Sequence, residues 1–247
     1  MSDELAPGVP HDSDGEIGHE HADVTGGWLR PAVFGAMDGL VSNVALIAGV
    51  AGGTAASAGT KPVILAGLAG LSAGAFSMAV GEYTSVASQA EAAQHEIHKE
   101  RREIQRNSAG EQAELAAMYV AKGLTPELAA QVAEQIHEDP EQAVAVHARE
   151  EFGIDPDDLT SPMLAAVSSF IAFTIGALVP LAPYFFGVSS VWPAVLVTMA
   201  ALFACGAVVT QMTSRAWWFG GARQMSLGAA AAGITYVVGS LVGTTGA

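Results

Sequence analysis

Long apolar runs alternate with polar stretches along this chain. Five of the runs are long enough to cross a bilayer, which takes about 20 residues in a helix. They cover residues 31–53, 62–86, 162–186, 191–213 and 224–245. The pattern predicts an all-α membrane protein with five transmembrane helices.

A polar stretch of helix-forming residues separates the second run from the third. Nothing breaks the chain between the second apolar run and the charged residues that follow, so we expect one helix from Val63 to about Arg106. At the rise of an α-helix it is roughly 65 Å long and projects from the bilayer. Residues 107–110 should break it, and Ser108 with Glu111 forms a capping-box pattern that opens the next helix.

The rest of this insert carries clear signals for helix ends. Thr125 and Asp139 each precede a proline, the pattern of an N-cap followed by the first helical residue. Phe152-Gly153 ends the last insert helix, and Ser161 leads into the third span. We therefore predict four regions: a disordered acidic and histidine-containing tail (1–27), transmembrane helices 1 and 2 (28–88), a cytoplasmic helical metal-binding domain (89–160), and transmembrane helices 3 to 5 (161–247).

Charge is scarce and unevenly placed. Only 14% of the 247 residues are charged, against about 25% in an average soluble domain. The net charge is −15, and all but two of the 25 acidic residues lie in 1–30 or 89–160. Such acidic regions exclude nucleic acid as a partner, because its recognition needs a basic face. The acidic regions are compatible with binding of metal cations. The single cysteine, Cys205, excludes a disulfide framework and a thiolate metal cluster.

The basic residues predict the orientation of the chain. With five spans, nine of the ten Lys and Arg residues fall on the side of the N-terminus and the insert, and only Lys61 falls on the other. The positive-inside rule then places the N-terminus and residues 89–160 in the cytoplasm and the C-terminus outside.

Two acids lie within the predicted spans. An aspartate at the centre of a bilayer costs roughly 2.5–3.5 kcal/mol on insertion scales, so Asp38 is expected to be functional. Asp38 and Met78 each lie about 12 Å from the cytoplasmic end of their spans, and Glu82 about 6 Å. These three side chains can therefore converge, with Met37 and Asn43 nearby. A carboxylate with a thioether suits Fe²⁺ and disfavours Mg²⁺ and Ca²⁺.

The acids of the insert recur at helical spacing. They form three groups, in which like charges one turn apart repel unless a cation lies between them. Carboxylates with an occasional imidazole suit Mn²⁺ and Fe²⁺. A solvated helix surface is the alternative explanation for the same residues. The candidate ligands are Glu96, Glu100 and Glu103, then Glu111 and Glu114, then His147, Glu150 and Glu151.

A second metal motif is incomplete. Glu134 and His137 form a Glu-x-x-His pattern, which is half of a ferritin-like di-iron site. Such a site needs a second copy on another helix, and the sequence has none. We therefore predict no di-iron oxidase, and no enzyme.

Taken together, these motifs resemble the vacuolar iron transporter family. The resemblance rests on FGAMDGLVSNVALIAG in the first span, AFSMAVGEY in the second, the five-span layout, and an insert in which Glu100-x-x-Glu103 and Glu111-x-x-Glu114 precede EEFG at the end of the domain. It implies a homodimer that exports Fe²⁺ or Mn²⁺ from the cytosol in exchange for protons. It also implies that the first two spans line the pathway and that the insert collects metal.

Three positions depart from the pattern of that family. Asn43 stands where plant members often have proline, and His147-Ala148 replaces a pair of methionines. Gly70 stands where some members carry a further acid within the membrane. These departures bear on the choice of metal.

The leading hypothesis is a proton-coupled Fe²⁺ or Mn²⁺ exporter with no permanently bound cofactor, located in the plasma membrane of a bacterium or the vacuolar membrane of a eukaryote. One alternative is a membrane-anchored cytoplasmic metal buffer or sensor without transport. Another is a scaffold that binds no ligand. Asp38 favours transport, since an anchor has no need of an acid within the membrane.

Overall fold

The computed structural model describes residues 27–54, 59–210 and 215–245, and these ranges contain helices and no strand. The predicted disordered tail lies, except for Gly27, outside the described residues. The helices are α1 (Leu29–Gly53), α2 (Lys61–Ala121), α3 (Pro126–His137), α4 (Pro140–Glu151), α5 (Pro162–Phe185), α6 (Val191–Thr210) and α7 (Trp217–Thr245).

Five of these helices are long and apolar enough to cross a membrane: α1, α2, α5, α6 and α7. The prediction of an all-helical chain with five candidate spans is thus confirmed. The last span begins at Trp217, not at residue 224 as predicted. The reason is that Arg223 interrupts the apolar run without interrupting the helix, and three aromatic residues already form its first turn.

Helix α1 lies at the centre of the bundle, in contact with α2, α5, α6 and α7. Glycines let it approach α5 closely, as in many membrane helix pairs. A Cβ atom at Gly39 would collide with the backbone of Phe173, and one at Gly176 with the backbone of Ala36. Helices α2 and α7, by contrast, lie at the edge: 17% and 11% of their most apolar windows are buried, against 44% for α5.

The insert begins as a direct continuation of the second span. Helix α2 stays helical for 61 residues except at Asn107, where φ is −145° and ψ is 56°. The predicted break is therefore a sharp kink. Its cap differs from the prediction: Asn107 Oδ1, and not the Ser108 hydroxyl, accepts a hydrogen bond from the backbone N–H of Gly110, at 3.2 Å. Asn107 caps the second segment because it is the residue that leaves helical geometry.

Helices α3 and α4 pack against α2 beyond the membrane-spanning segment. Their predicted N-caps are confirmed: Thr125 Oγ1 accepts from the N–H of Leu128, and Asp139 Oδ1 from the N–H of Glu141. The small apolar core of the insert consists of Ile97, Ile104, Ala143, Val144 and Ala148. This core fixes α4 beside the part of α2 that carries the insert glutamates.

Candidate functional site

Four potential metal ligands meet inside the insert. One ligand atom each from Glu100, Glu111, His147 and Glu151 lies within 4.8 Å of the other three. Glu100 and His147 are buried, with 2% and 0% of their surface exposed. Buried acids are rare in proteins unless they are paired or bind a metal. The four residues therefore form a candidate metal centre, which we call the insert cluster.

The kink at Asn107 is what brings the cluster together. Glu100 and Glu111 belong to the same helix α2 and are eleven positions apart, so in a straight helix they would be about 16 Å apart along the axis. The turn at Asn107 folds the second segment back until their carboxylates are neighbours. Helix α4 then supplies His147 and Glu151, which lie one turn apart on the same face.

The polar contacts of the cluster converge on the His147 ring. Its Nδ1 atom lies 2.7 Å from Glu151 Oε1, with which it shares a hydrogen bond. It also lies 3.1 Å from Glu100 Oε1, although that oxygen lacks the geometry of a hydrogen bond and has no other partner. The opposite ring atom, His147 Nε2, is buried and has no partner.

Electrostatics show that the cluster lacks positive charge. Burial, and after it the negative charges of Glu151, Glu111 and Glu103, raise the pKa of Glu100 to about 7, and only His147 acts in the opposite direction. Burial, followed by the neighbouring charge of Glu114, also raises the pKa of Glu111. A proton or a cation in the cluster relieves this repulsion.

The other predicted ligands of the insert separate into two kinds. Glu103 and Glu114 lie close enough to act on the pKa of Glu100 and Glu111, respectively, and they border the cluster. Glu96 lies 4.0 Å from Lys99, and Glu150 forms an ion pair with Lys122. The structure thus places Glu96 and Glu150 with surface cations, outside the cluster.

A second imidazole lies behind His147. The rings of His137 and His147 are 5.3 Å apart between centroids, at an angle of 85°. Sequence reasoning paired His137 with Glu134, yet Glu134 is exposed while His137 is half-buried. The useful signal was the spacing of Ala129, Ala133 and His137, which places all three on one face of α3; both alanines are fully buried.

A second polar site lies within the apolar bundle, between α1, α2 and α5. It is a cavity of about 180 Å³, which we call the membrane pocket. Three residues that the sequence predicted for a transport pathway line it: Asp38, Asn43 and Met78. Its other lining residues are Ser42, Leu46, Gly70, Gly74, Ser77 and Phe173.

Hydrogen bonds orient the side chains of Asp38 and Asn43 in this pocket. Ser42 Oγ donates to Asp38 Oδ1 at 2.6 Å, one turn along α1. Asn43 Nδ2 donates to the carbonyl of Ala177 at 2.6 Å, which fixes the amide. The Asn43 side chain is buried, and its Oδ1 atom has no partner. The amide oxygen is therefore free to accept from, or bind, whatever enters the pocket.

Met37 and Glu82, the other two predicted pathway residues, do not line the membrane pocket. Met37 faces α7, where its Sδ atom accepts a hydrogen bond from Gln224 Nε2 at 3.3 Å. Glu82 is half-buried and lies one turn beyond Met78 along α2, toward the insert. The pocket and the insert cluster are thus connected by a single helix, with Glu82 between them.

Known proteins are similar to this chain over most of its length. The model of the VIT family matches residues 29–240. A vacuolar iron transporter of Acanthamoeba castellanii is 37% identical over 222 residues, covering 87% of this chain and 76% of that protein. Vacuolar iron transporter 1 of Oryza sativa is 30% identical over 247 residues, covering 96% of each. Vacuolar iron transporter 1 of Arabidopsis thaliana is 30% identical over 181 residues, covering 72% of this chain and 71% of that protein.

Proposed function

Because the chain belongs to the VIT family, we propose that it carries divalent metal ions, Fe²⁺ or Mn²⁺ or both, out of the cytosol in exchange for protons. The observation that carries this proposal is the membrane pocket, in which Asp38, Asn43 and Met78 converge inside a bundle of apolar helices. A polar site at that depth is costly to maintain and is expected where an ion passes. The relatives are named as iron transporters, which supports iron as a substrate.

The donor atoms of the pocket favour a transition metal. Asp38 offers a carboxylate, Asn43 an amide oxygen without a partner, and Met78 a thioether. A thioether contributes little to binding Mg²⁺ or Ca²⁺, which take oxygen ligands, whereas Fe²⁺ tolerates a mixed set. With one carboxylate only, the pocket binds weakly enough to release its ion, as transport requires.

The insert cluster captures metal on the cytosolic side. It combines carboxylates with one imidazole and no thiolate, a set that suits Fe²⁺ and Mn²⁺. Its unbalanced negative charge also raises the local concentration of cations. Metal leaving the cluster passes Glu82 on its way to the pocket, since that side chain lies between the two sites on α2.

Proton exchange follows from the same carboxylates. Metal and proton compete for carboxylate oxygens, so metal binding releases protons and metal release takes them up. In the cluster, Glu100 has a pKa of about 7, which lets it exchange its proton at cytosolic pH. In the pocket, Asp38 serves as the corresponding acceptor when the metal departs.

The orientation and assembly of the protein belong to the same proposal. Arg30, Arg215 and Arg223 lie at or near the ends of the membrane helices on the side of the insert, and the positive-inside rule places that side in the cytoplasm. The exposed apolar faces of α2 and α7 support a homodimer, in which a second copy covers part of α2 next to the pocket. Such a dimer lies in the plasma membrane of a bacterium, or in the vacuolar membrane of a eukaryote.

Metal flux into proteoliposomes tests the transport proposal. We expect uptake of Fe²⁺ or Mn²⁺ that increases when a pH gradient is imposed with the receiving side acidic, and little uptake of Zn²⁺. Asp38→Asn, which keeps the size of the side chain and removes its charge, should abolish uptake. The absence of flux in the unmodified protein, or full flux in Asp38→Asn, would overturn the proposal.

A metal buffer or sensor is the second candidate, and one observation favours it: the insert cluster is assembled from α4 and from the part of α2 that lies beyond its apolar stretch. In that case Asp38→Asn would leave both metal tolerance of cells and metal binding by the protein unchanged. Transport predicts a different pair of results, in which tolerance is lost while binding at the cluster persists. The same variant therefore separates the two functions.

A further inference from the structure

His147 and His137, next to the insert cluster, each have a buried ring nitrogen without a hydrogen-bond partner. His147 is fully buried, and its ring lies 5.3 Å from that of His137 between centroids. The Nε2 atoms of both rings are buried, and neither has a hydrogen-bond partner. A buried polar atom without a partner costs about 1–3 kcal/mol, so two of them side by side call for an explanation.

The state of His137 is fixed by its own helix. Its Nδ1 atom lies 2.8 Å from the carbonyl oxygen of Ala133. A carbonyl can only accept, so Nδ1 carries the proton and donates it. In a neutral imidazole only one of the two ring nitrogens carries a proton. His137 Nε2 therefore holds a lone pair and acts as an acceptor.

His147 presents its other nitrogen to the carboxylates. Nδ1 lies 2.7 Å from Glu151 Oε1 and 3.1 Å from Glu100 Oε1. Two ligands at right angles on an ion, each bonded at about 2.1 Å, are about 3 Å apart. Each oxygen therefore lies from Nδ1 at about the distance that separates neighbouring ligands on one ion, and Nδ1 is the ring nitrogen that faces the carboxylates.

We propose that His137 is a positioning residue, which holds His147 as an Nδ1 metal ligand by accepting a hydrogen bond from His147 Nε2–H. When Nδ1 gives its lone pair to the metal, the proton that it carried leaves to solvent. The metal-bound ring then has one proton, on Nε2, which a doubly protonated ring keeps and a singly protonated ring takes up. That proton needs a buried acceptor, and His137 Nε2 supplies it. A metal-bound histidine commonly donates its second N–H in this way, which orients the ring and raises its basicity.

This inference rests on the proposed metal binding by the insert and extends it to a residue outside the ligand set. Both Nε2 atoms lack a partner in the structure, and formation of this one hydrogen bond on metal binding would satisfy both. Ordinary packing is the alternative for His137, and it makes a different prediction: any apolar side chain of similar size would serve as well.

Metal titration of the full-length protein in detergent separates these explanations. The readout is the Mn²⁺ affinity of the component that is lost in His147→Ala. We expect His137→Leu, which removes the acceptor, to weaken this component by about 10- to 100-fold. His137→Gln, which restores an acceptor of similar size, should recover most of it. His98→Leu is the matched control, since His98 makes the same contact to a backbone carbonyl one turn earlier but is exposed, and a helix points it about 200° away from Glu100.

A spectroscopic measurement on the unmodified protein does not depend on how the variants fold. With ¹⁵N-labelled histidine and diamagnetic Zn²⁺ as the probe, we expect His147 to bind through Nδ1 with a proton on Nε2, and His137 to keep its proton on Nδ1. A metal bound to His147 Nε2, or unchanged Mn²⁺ affinity in His137→Leu, would overturn the role of His137. If the unmodified protein lacks the component that depends on His147, the metal site itself is refuted, which is a distinct result.

Discussion

Asn43 Nδ2 donates a hydrogen bond of 2.6 Å to the carbonyl oxygen of Ala177, a residue 134 positions later in the chain. The contact joins α1 to α5 and determines which end of the amide faces the membrane pocket. Nitrogen is turned to the neighbouring helix and oxygen to the pocket. The amide nitrogen of Asn43 thus links two helices, and the amide oxygen can bind an ion in the pocket.

Replacing Asn43 should affect both the stability of the protein and metal flux. Asn43→Leu removes the hydrogen bond, and we expect a loss of about 0.5–1.5 kcal/mol in stability. It also removes the amide oxygen from the pocket, so metal flux should fall by at least about tenfold, which corresponds to 1.4 kcal/mol. Thermal unfolding and proteoliposome flux measure the two effects. Thr198→Val is the control, since Thr198 is buried but bonds within α6 to Ala194; a similar loss of flux there would attribute the effect to folding.

Two methionines in neighbouring spans should behave differently. Met78 lines the membrane pocket, whereas Met37 accepts a hydrogen bond from Gln224 on the opposite side of α1. We expect Met78→Leu, which keeps the volume and removes the sulfur, to reduce Fe²⁺ flux more than Mn²⁺ flux, because the softer ion gains more from a thioether. Met37→Leu should change neither. Competition between the two ions in the flux assay measures the preference, and equal effects of the two substitutions would contradict the placement.

The kink of α2 offers a third test. Asn107→Ala removes the side chain that caps the second segment, and N-cap losses typically cost about 0.5–2 kcal/mol. Because the kink brings Glu100 to Glu111, Mn²⁺ affinity at the insert cluster should fall together with stability. Ser108→Ala should have little effect on either, since the Ser108 side chain is exposed and Asn107 provides the cap. Calorimetric titration measures the affinity, and the reverse ranking of the two variants would show that Ser108 is the cap.

The pKa of Glu100 predicts how pH acts on the insert. The carboxyl has a pKa of about 7 in the folded protein against an ordinary value of 4.5. The folded state therefore binds this proton more tightly than the unfolded chain. Glu100 then favours the fold at low pH, and that contribution is lost as the pH rises from about 4.5 through 7. Mn²⁺ competes with the same proton, so it should bind more tightly at pH 8 than at pH 6.

Thermal unfolding with and without Mn²⁺ measures this linkage. Added Mn²⁺ should raise the melting temperature more on the alkaline side of pH 7 than on the acid side. Glu100→Gln should flatten this dependence, whereas Glu127→Gln, at an exposed acid in the first turn of α3, should preserve it. A rise that is the same on both sides of pH 7 in the unmodified protein would be inconsistent with a titrating Glu100.

The spans and most helix ends were predictable because each rests on a local requirement. A membrane helix needs an unbroken apolar run, and its backbone N–H and C=O groups form their hydrogen bonds within the helix. Thr125, Asp139 and Ser161 cap their helices in the same way in any context, by accepting a bond from an N–H two or three residues later. None of these features depends on which helix lies beside which.

The orientation of α1 was not predictable in this way. Met37 and Asp38 are neighbours in sequence, yet a helix points them about 100° apart. Because α1 is apolar on nearly every side, periodicity does not show which side faces α2 and the pocket. Packing of α1 against α5 and α7 decides it, and only Asp38 of the two reaches the pocket.

The composition of the insert cluster was predictable only in part, because spacing along one helix does not show which residues of other helices lie beside it. Spacing grouped Glu100 with Glu103 and His147 with Glu151 because each pair lies on one face of one helix; in the structure His147 contacts Glu151 at 2.7 Å, whereas Glu103 only borders the cluster. It could not show that Glu96 and Glu150 meet Lys99 and Lys122 instead, because these lysines compete for the same acids. Nor could it place His137 beside His147, a contact between α3 and α4.

The unbroken helix between Met78 and the insert makes α2 a rigid lever. Met78 and Glu100 are 22 residues apart on it, a length of about 33 Å. A tilt of about 5° with its pivot at Met78 would move Glu100 by about 3 Å. That displacement equals the spacing between neighbouring ligands, so an ion clasped between α2 and α4 would restrict the tilt of the second span. We therefore expect metal loading of the insert to influence the shape of the membrane pocket.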